Sequence, residues 1–393
     1  MKTLIELYDE RPLENVLGVE MFRPERVVYV CDENNTPDKR MQRKLREFFQ
    51  RRGLELETEF VKAKVYDADA ILAVLRDVTR RCTDCGLDIT GGTDAVLFAS
   101  GLLAAESDLP VMTYSRRKNC FYNIRGASFG GKLNCKVNYN VEDCFLMAGG
   151  SMQPGRVDNA ILEQYLDDIE PFFKLFLAHR KNWVKIVSYF QRVSQCPQEG
   201  PIRLDVRGDY TVKGERGSRI EAPEEALVGL ETIGFLQKLK IEKGEFVSFR
   251  FRDAQIRAWL RDVGSVLELY VYKACLDSGL FQDVRTSAVV DWEGDERANA
   301  VTNELDVMCT RGVTPVFISC KTCDVKTEAL NELAILRDRF GGKMARAAIV
   351  TAERGGAPMR NRASELGITV IDLNDLTAGR IDNRLKILMR DVK

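Results

Sequence analysis

Two short stretches near the C-terminal end carry residues whose types and spacing can do chemistry. Asn303-Glu304-Leu305-Asp306-Val307 is followed, across a turn at Arg311-Gly312, by Pro315-Val316-Phe317-Ile318-Ser319-Cys320-Lys321. An acid lies within one strand and a lysine ends the next. If the strands pair as antiparallel neighbours, Asp306 comes close to the end of the second. Period-two alternation puts Glu304 beside Asp306 on one face, Ser319 and Lys321 on a shared face, and Cys320 on the other. A carboxylate so placed can hold a divalent cation, which polarises a phosphate and lowers the pKa of its water. A lysine beside it can stabilise charge on the attacking water or the transition state. The set suits phosphodiester hydrolysis, with Mn²⁺ or Mg²⁺ as the cation, because oxygen-rich sites suit both. Ser-Cys-Lys alone has no specificity. Upstream, Ser265-x-x-Glu268 has the spacing of a capping box at a helix start.

A second constellation lies near the N-terminus. Thr90-Gly91-Gly92-Thr93-Asp94 stands between a predicted strand and a predicted helix. Glycines let a backbone approach a ligand, and the N–H groups of a helix start favour anions. The first predicted strand ends in Asp32, Glu33, Asn34, Asn35 and Thr36. In an open α/β sheet the ligand crevice lies beyond the carboxyl ends of the strands, where both loops fall, as does Tyr114 at the end of a third strand. Lys39, Arg40, Arg116, Arg117 and Lys118 offer positive charge nearby. The competing reading is a tight strand-to-helix turn with Thr93 as N-cap. There is no GxGxxG and no Walker lysine.

The elements that must position these residues follow from periodicity. Residues 26–31 form an apolar, β-branched run expected of a buried parallel strand. A helix is predicted from Thr36-Pro37, as N-cap and first helical residue, to about Arg52, where Gly53 ends it. Strands at 54–61, 87–90 and 111–114 alternate with helices at 67–81 and 94–106, which predicts an α/β domain with a doubly wound parallel sheet over 1–150. Residues 115–140 read as loops and a hairpin, and 141–146 as a short helix before Gly149-Gly150. A middle module, 151–252, is helical over 157–195, strand-like over 201–221, helical over 223–239 and alternating over 244–252, a winged-helix-like order. The last unit, 253–393, reads as a helix over 265–278, strands near 284–290, 303–310 and 314–320, a helix over 326–340, a strand at 346–351, a helix at 358–366 and a strand at 368–372.

This order, with NELD, a hairpin, FISCK and the upstream VLELYVYKA, resembles the PD-(D/E)xK nuclease superfamily, and within it the nuclease domain of the Card/Can family of CRISPR-associated effectors. The resemblance implies a restriction-endonuclease-like α/β domain in which Asp306 is the first acid, Lys321 the lysine, and Glu268 the helical glutamate that completes the metal site. Cys320 would give its backbone carbonyl to the metal. Ser319 stands where the second acid is expected, so that acid would come from Glu268 or Glu304. PLENVLGVEMFRPERVVYV and DITGGTDAVLFASGLLAAE resemble a CARF domain. That resemblance implies a homodimer that binds cyclic tetra-adenylate, or cyclic hexa-adenylate, and acts in type III CRISPR antiviral defence on RNA or DNA, with single-stranded substrate favoured. Relatives commonly carry lysine after GGT; here it is Asp94. A ligand-responsive DNA-binding regulator with an inactive nuclease fold, and an Mrr-like restriction endonuclease, are the competing readings.

Composition narrows the field. The formal net charge of the 393 residues is −1, so a nucleic-acid site must be a local patch rather than a whole basic surface. The eleven cysteines show no secreted disulfide framework, and no stretch approaches the apolar length of a membrane span; a reducing cytoplasm is the expectation. Cys82-x-x-Cys85 and Cys320-x-x-Cys323 have zinc-knuckle spacing, but a site would need the pairs to meet across domains. His179 is the single histidine. It lies in an apolar helical stretch, read as packing or surface contact, and any Ser-His-Asp triad would have to run through it; no arginine stands several residues before it, which removes a HEPN ribonuclease.

Overall fold

In the computed structural model, residues 1–9, 13–153, 159–195, 202–214, 217–292 and 302–390 are described. The N-terminal unit is a seven-stranded sheet ordered β3-β2-β1-β4-β5-β6-β7, with β1 Thr3–Leu7, β2 Arg26–Asp32, β3 Glu57–Ala63, β4 Cys85–Asp88, β5 Val111–Ser115, β6 Cys120–Arg125 and β7 Lys132–Asn134. The first five strands run parallel, and β6 and β7 add an antiparallel hairpin at one edge. Helices α1 Glu14–Phe22 and α2 Lys39–Arg51 cover one face, α3 Ala68–Arg81 and α4 Asp94–Glu106 the other.

Two details depart from the sequence reading. Strand β1, central and fully buried, was not anticipated, because Glu6 interrupts an otherwise short apolar run. Helix α2 starts later than Thr36-Pro37: the Asp38 side chain accepts from Met41 N at 2.7 Å, whereas the Thr36 hydroxyl donates back to the Asp32 carbonyl. A carboxylate is at least as good an N-cap as a threonine, and it takes the role.

After α5 Val141–Met147, the chain gives β8 Ser151–Gln153, which pairs with the C-terminal sheet. The middle then holds α6 Asn159–Leu162, α7 Leu166–His179 and α8 Trp183–Val193, a ribbon of β10 Thr211–Lys213 with β11 Arg219–Glu221, helix α9 Glu224–Thr232, and a sheet ordered β12-β13-β9 from Leu236–Glu242, Phe246–Phe251 and Asp205–Asp209. The helix predicted over 223–239 is therefore cut short. Gly234 turns the chain at φ 78°, and Leu236–Glu242 pairs antiparallel with β13.

Helices α10 Ala254–Trp259 and α11 Ser265–Asp277 lead into a sheet ordered β18-β17-β16-β15-β14-β8. Its strands are β14 Asp283–Asp291, β15 Thr302–Arg311, β16 Thr314–Lys321, β17 Arg346–Thr351 and β18 Ile368–Ile371, with α12 Thr327–Gly341, α13 Ala357–Glu365, α14 Leu373–Thr377 and α15 Ile381–Leu388. One face, through Val307, Cys309 and Ile318, shares a core with α11 and the middle module. The other, through Met308 and Phe317, shares a core with α12, α5 and the N-terminal sheet. The C-terminal sheet is thus joined through one face to each of the other units.

Candidate nuclease and ligand sites

Strands β15 and β16 pair antiparallel from Arg311↔Thr314 to Val307↔Ile318. Asp306 is the first residue beyond that pairing, and its side chain turns into the space where the strands part. Oδ2 accepts from Ser319 Oγ at 3.0 Å and from Cys320 N at 2.6 Å, and Lys321 Nζ stands 3.7 Å away. The sequence-predicted Asp306, Ser319 and Lys321 therefore meet. Ser319 acts as a donor that holds the carboxylate. The Cys320 side chain lies in the buried core on the opposite face, and its N–H fixes Asp306. A cleft of about 70 Å³ opens at this point, lined by Glu304, Asp306, Ser319 and Lys321, with Glu332 and Leu333 facing them from α12.

Glu268 approaches from α11. The capping box does not form. Asp262 Oδ2 accepts from the N–H groups of Gly264 and Ser265 and from Ser265 Oγ, so Asp262 satisfies the helix start. Glu268 is left to fold its carboxyl against Gly264, where a Cβ would stand 2.6 Å from Oε1. Burial, and then the charges of Asp306, Asp262 and Glu304, push the Glu268 carboxyl up to about 8, while Lys321 opposes the shift. Repulsion among these acids is what a bound cation relieves. Among the described residues, no group of three or more His, Cys, Asp or Glu side chains converges as a metal cage. Glu304 is exposed. Asp262 and Glu332 were missed by sequence reasoning. Glu332 is held by Asn303 Nδ2 at 2.7 Å, and Asn303 Oδ1 by Trp292 Nε1 at 2.7 Å; no local pattern links residues so far apart in the chain.

In the N-terminal sheet the strand order turns between β1 and β4, and Gly91–Thr93 sit just beyond the carboxyl end of β4. Gly91 adopts φ 83°, a conformation that favours glycine. A Cβ there would meet Asp9 Oδ2 at 3.1 Å, so the end of β1 forms the second wall, a contribution hidden while β1 was unrecognised. Thr93 caps α4, accepting from Val96 N and donating to the Val65 carbonyl, as the turn reading required. Thr90 is buried: its N–H and hydroxyl both donate to Asp88 Oδ1, and its Oγ1 accepts from Tyr114 N. The Tyr114 ring is buried beside Phe121, and its hydroxyl donates to Asn119 Oδ1 at 2.7 Å. Thr90 and Tyr114 thus shape the loop from below, while Gly91, Asp94, Asn34, Asn35 and Lys39 are exposed at the rim and Gly92 and Thr36 are half-buried there. Arg116 pairs with buried Glu14.

The two regions are connected. Beyond Tyr114 and Asn119, Cys135 N donates to the Asn119 carbonyl and Tyr139 N to the Gly312 carbonyl. Gln282 donates to the carbonyls of Tyr139 and Gly312 and accepts from Gly312 N. Gly312 is the turn of the β15–β16 hairpin, whose far ends carry Asp306 and Lys321.

No curated protein matches the chain. Residues 253–390 match the family described as Card1-like, endonuclease domain. Among solved structures, protein VC1899 from Vibrio cholerae is similar over 98% of this chain and 97% of that one, at 18% identity and a TM-score of 0.73. Can2 from Sulfobacillus thermosulfidooxidans, solved with cyclic tetra-adenylate, is similar over 98% of this chain and 99% of that one, at 16% identity and a TM-score of 0.69. Asp306 and Lys321 meet at a cleft inside residues 253–390, the segment that matches the Card1-like endonuclease domain, and the chain as a whole shares its fold with Can2.

Proposed function

We propose that the chain is a nuclease of type III CRISPR defence that a cyclic oligoadenylate switches on. The observation that carries this reading is the cleft in the Card1-like segment, where Asp306, Ser319 and Lys321 meet; Glu268, raised by burial and then by the neighbouring acids, stands beside it. Asp306 and Glu268 would hold a divalent cation, Mn²⁺ or Mg²⁺, whose chemistry when bound is to polarise the phosphodiester and make a water more acidic. Ser319 Oγ and Cys320 N orient Asp306. Lys321 presents its ammonium at the same cleft and offsets charge that builds on the phosphate as the bond breaks.

The activator site lies at Gly91–Asp94 with the Asn34–Thr36 loop and Lys39. Its support is the shared fold with a Can2 solved with cyclic tetra-adenylate and the crevice where the strand order turns. A homodimer is supported by α4, which begins at this loop and exposes Leu97, Phe98 and Leu102 on one side. A flat apolar helix face of this kind is favourable to cover.

A second reading has one observation in its favour: β16 offers a serine, not an acid, beside Lys321. A chain that bound the ligand without cutting would be a regulator. The deciding experiment incubates purified protein with single-stranded RNA, single-stranded DNA and supercoiled plasmid, in Mn²⁺, with and without cyclic tetra-adenylate. Cutting that needs the ligand supports the proposal and names the substrate; ligand binding with no cutting of any substrate supports the regulator.

A further inference from the structure

With a net charge of −1 for the whole chain, the distribution of cations carries information. Residues 115–140 contain six lysines and arginines and no aspartate or glutamate. Two of the six are engaged: Arg116 with Glu14, and Arg125 with the Ala104 carbonyl. Arg117, Lys118, Lys132 and Lys136 are exposed and make no ion pair among the described residues. This run forms the β6–β7 hairpin.

Two clefts meet on it. One, of about 450 Å³, is lined by Lys118, Tyr122 and Lys132. The other, of about 480 Å³, runs from the hairpin to the C-terminal unit and is lined by Phe281 and Arg311. Asn119 and Cys135 border both, so the two make one continuous groove. Cations stand at both ends, half-buried rings of Tyr122 and Phe281 lie along it, and the amides of Asn119, Asn134 and Asn138 line its walls.

We infer that this groove binds single-stranded nucleic acid. A backbone with evenly spaced phosphates matches cations placed at intervals along a groove, and unstacked bases match the part-exposed rings and amide groups that line it. An acidic polypeptide would use the cations but leave the rings and amides without a counterpart. The surface lies outside both the ligand loop and the catalytic cleft. Its use, holding substrate for the C-terminal unit, rests on the nuclease reading above.

The test is fluorescence anisotropy with a labelled 20-nucleotide single strand, DNA and RNA in turn, in EDTA so that nothing is cut. The unmodified protein is compared with the double variant Lys132→Glu/Arg311→Glu. The double variant is expected to bind about ten-fold or more weakly, and to lose about 1.4 from the slope of log affinity against log salt, two phosphate contacts at about 0.7 each. Unchanged cyclic tetra-adenylate affinity would show it folded. Affinity and salt slope unchanged in the double variant would overturn the inference. So would displacement of the oligonucleotide by polyglutamate at equal charge, which would make this a surface for acidic protein. An unmodified protein that binds the strand but never cuts, with Mn²⁺ and ligand present, would defeat the nuclease reading and leave the groove standing.

Discussion

Asp306 Oδ2 receives two donors, from Ser319 Oγ and Cys320 N, and forms an ion pair with the Lys321 ammonium at 3.7 Å. Its orientation is thus set before any cation or substrate arrives, and preorganisation of this kind is where catalytic electrostatics act. Asp306→Ala is expected to abolish cutting and leave cyclic tetra-adenylate affinity nearly unchanged, measured by gel cleavage and calorimetry. Lys321→Ala removes one charge facing the transition state and should lower the cleavage rate by about 10²-fold or more, with ligand affinity again unmoved. Equal cutting by either variant would remove that residue from the site. Ser319 belongs to a different class: as a donor to Asp306 it positions, and its hydroxyl does not substitute for a missing carboxylate.

At the scale of elements, β1, β4 and α1 form an unusual contact. Glu6 on β1 and Asp88 on β4 are both buried and face Gly18 of α1, where a Cβ would stand 2.1 Å from Glu6 Oε1 and 2.9 Å from Asp88 Oδ2. Among the described residues, neither Glu6 oxygen has a hydrogen-bond partner. Burial, then the charge of Asp88, raises Glu6 well above the usual carboxylate range, and burial raises Asp88 to about 6. For carboxyls with folded values raised above their unfolded ones, the protonated forms favour the fold. The stabilising contribution is complete below about pH 4 and is lost as pH rises through about 6 for Asp88, and higher for Glu6. Glu6→Gln should therefore raise the melting temperature at pH 7.5 and raise it less at pH 5.5; a gain that does not depend on pH would contradict this. On the other side of the sheet, α4 exposes Phe98 by 62%. Phe98→Glu is expected to turn a dimer into a monomer in analytical ultracentrifugation; an unchanged mass would place the interface elsewhere.

At the scale of the molecule, the C-terminal sheet is packed on both faces, against the middle module on one side and the N-terminal unit on the other. Phe145 of α5 meets Phe340 of α12 at 5.2 Å between ring centroids. Gln282 bridges the N-terminal unit to the turn of the β15–β16 hairpin. If ligand binding is transmitted along this contact, Gln282→Ala should keep cyclic tetra-adenylate affinity while losing most of the ligand-dependent rise in cutting, since a coupling free energy depends on contacts that differ between two states. A full rise in the variant would assign the transmission to the α5–α12 contact instead.

Much of the architecture was legible from local pattern. The alternation of strands and helices, the β15–β16 hairpin, and the facing of Asp306 toward Ser319 and Lys321 follow from strand period and short turns, which act over a few residues. What the tertiary structure decided were features made by distant segments. Strand β1 reads as polar at Glu6 and is central only because β2 and β4 bury it on both sides. Glu268 looks like half of a capping box until Asp262 takes the cap and leaves it to face the acids. Residues 236–239 read as the end of a helix until β13 pairs with Leu236–Glu242. Glu332 and Asp9 reach the sites from elements that no sequence spacing connects to them. Thr90 and Tyr114 pass from ligand candidates to buried supports, because Asp88 and Asn119 engage their polar groups. Residue type and spacing determine which chemistry is available; which groups remain free to perform it depends on how the packed chain satisfies the others.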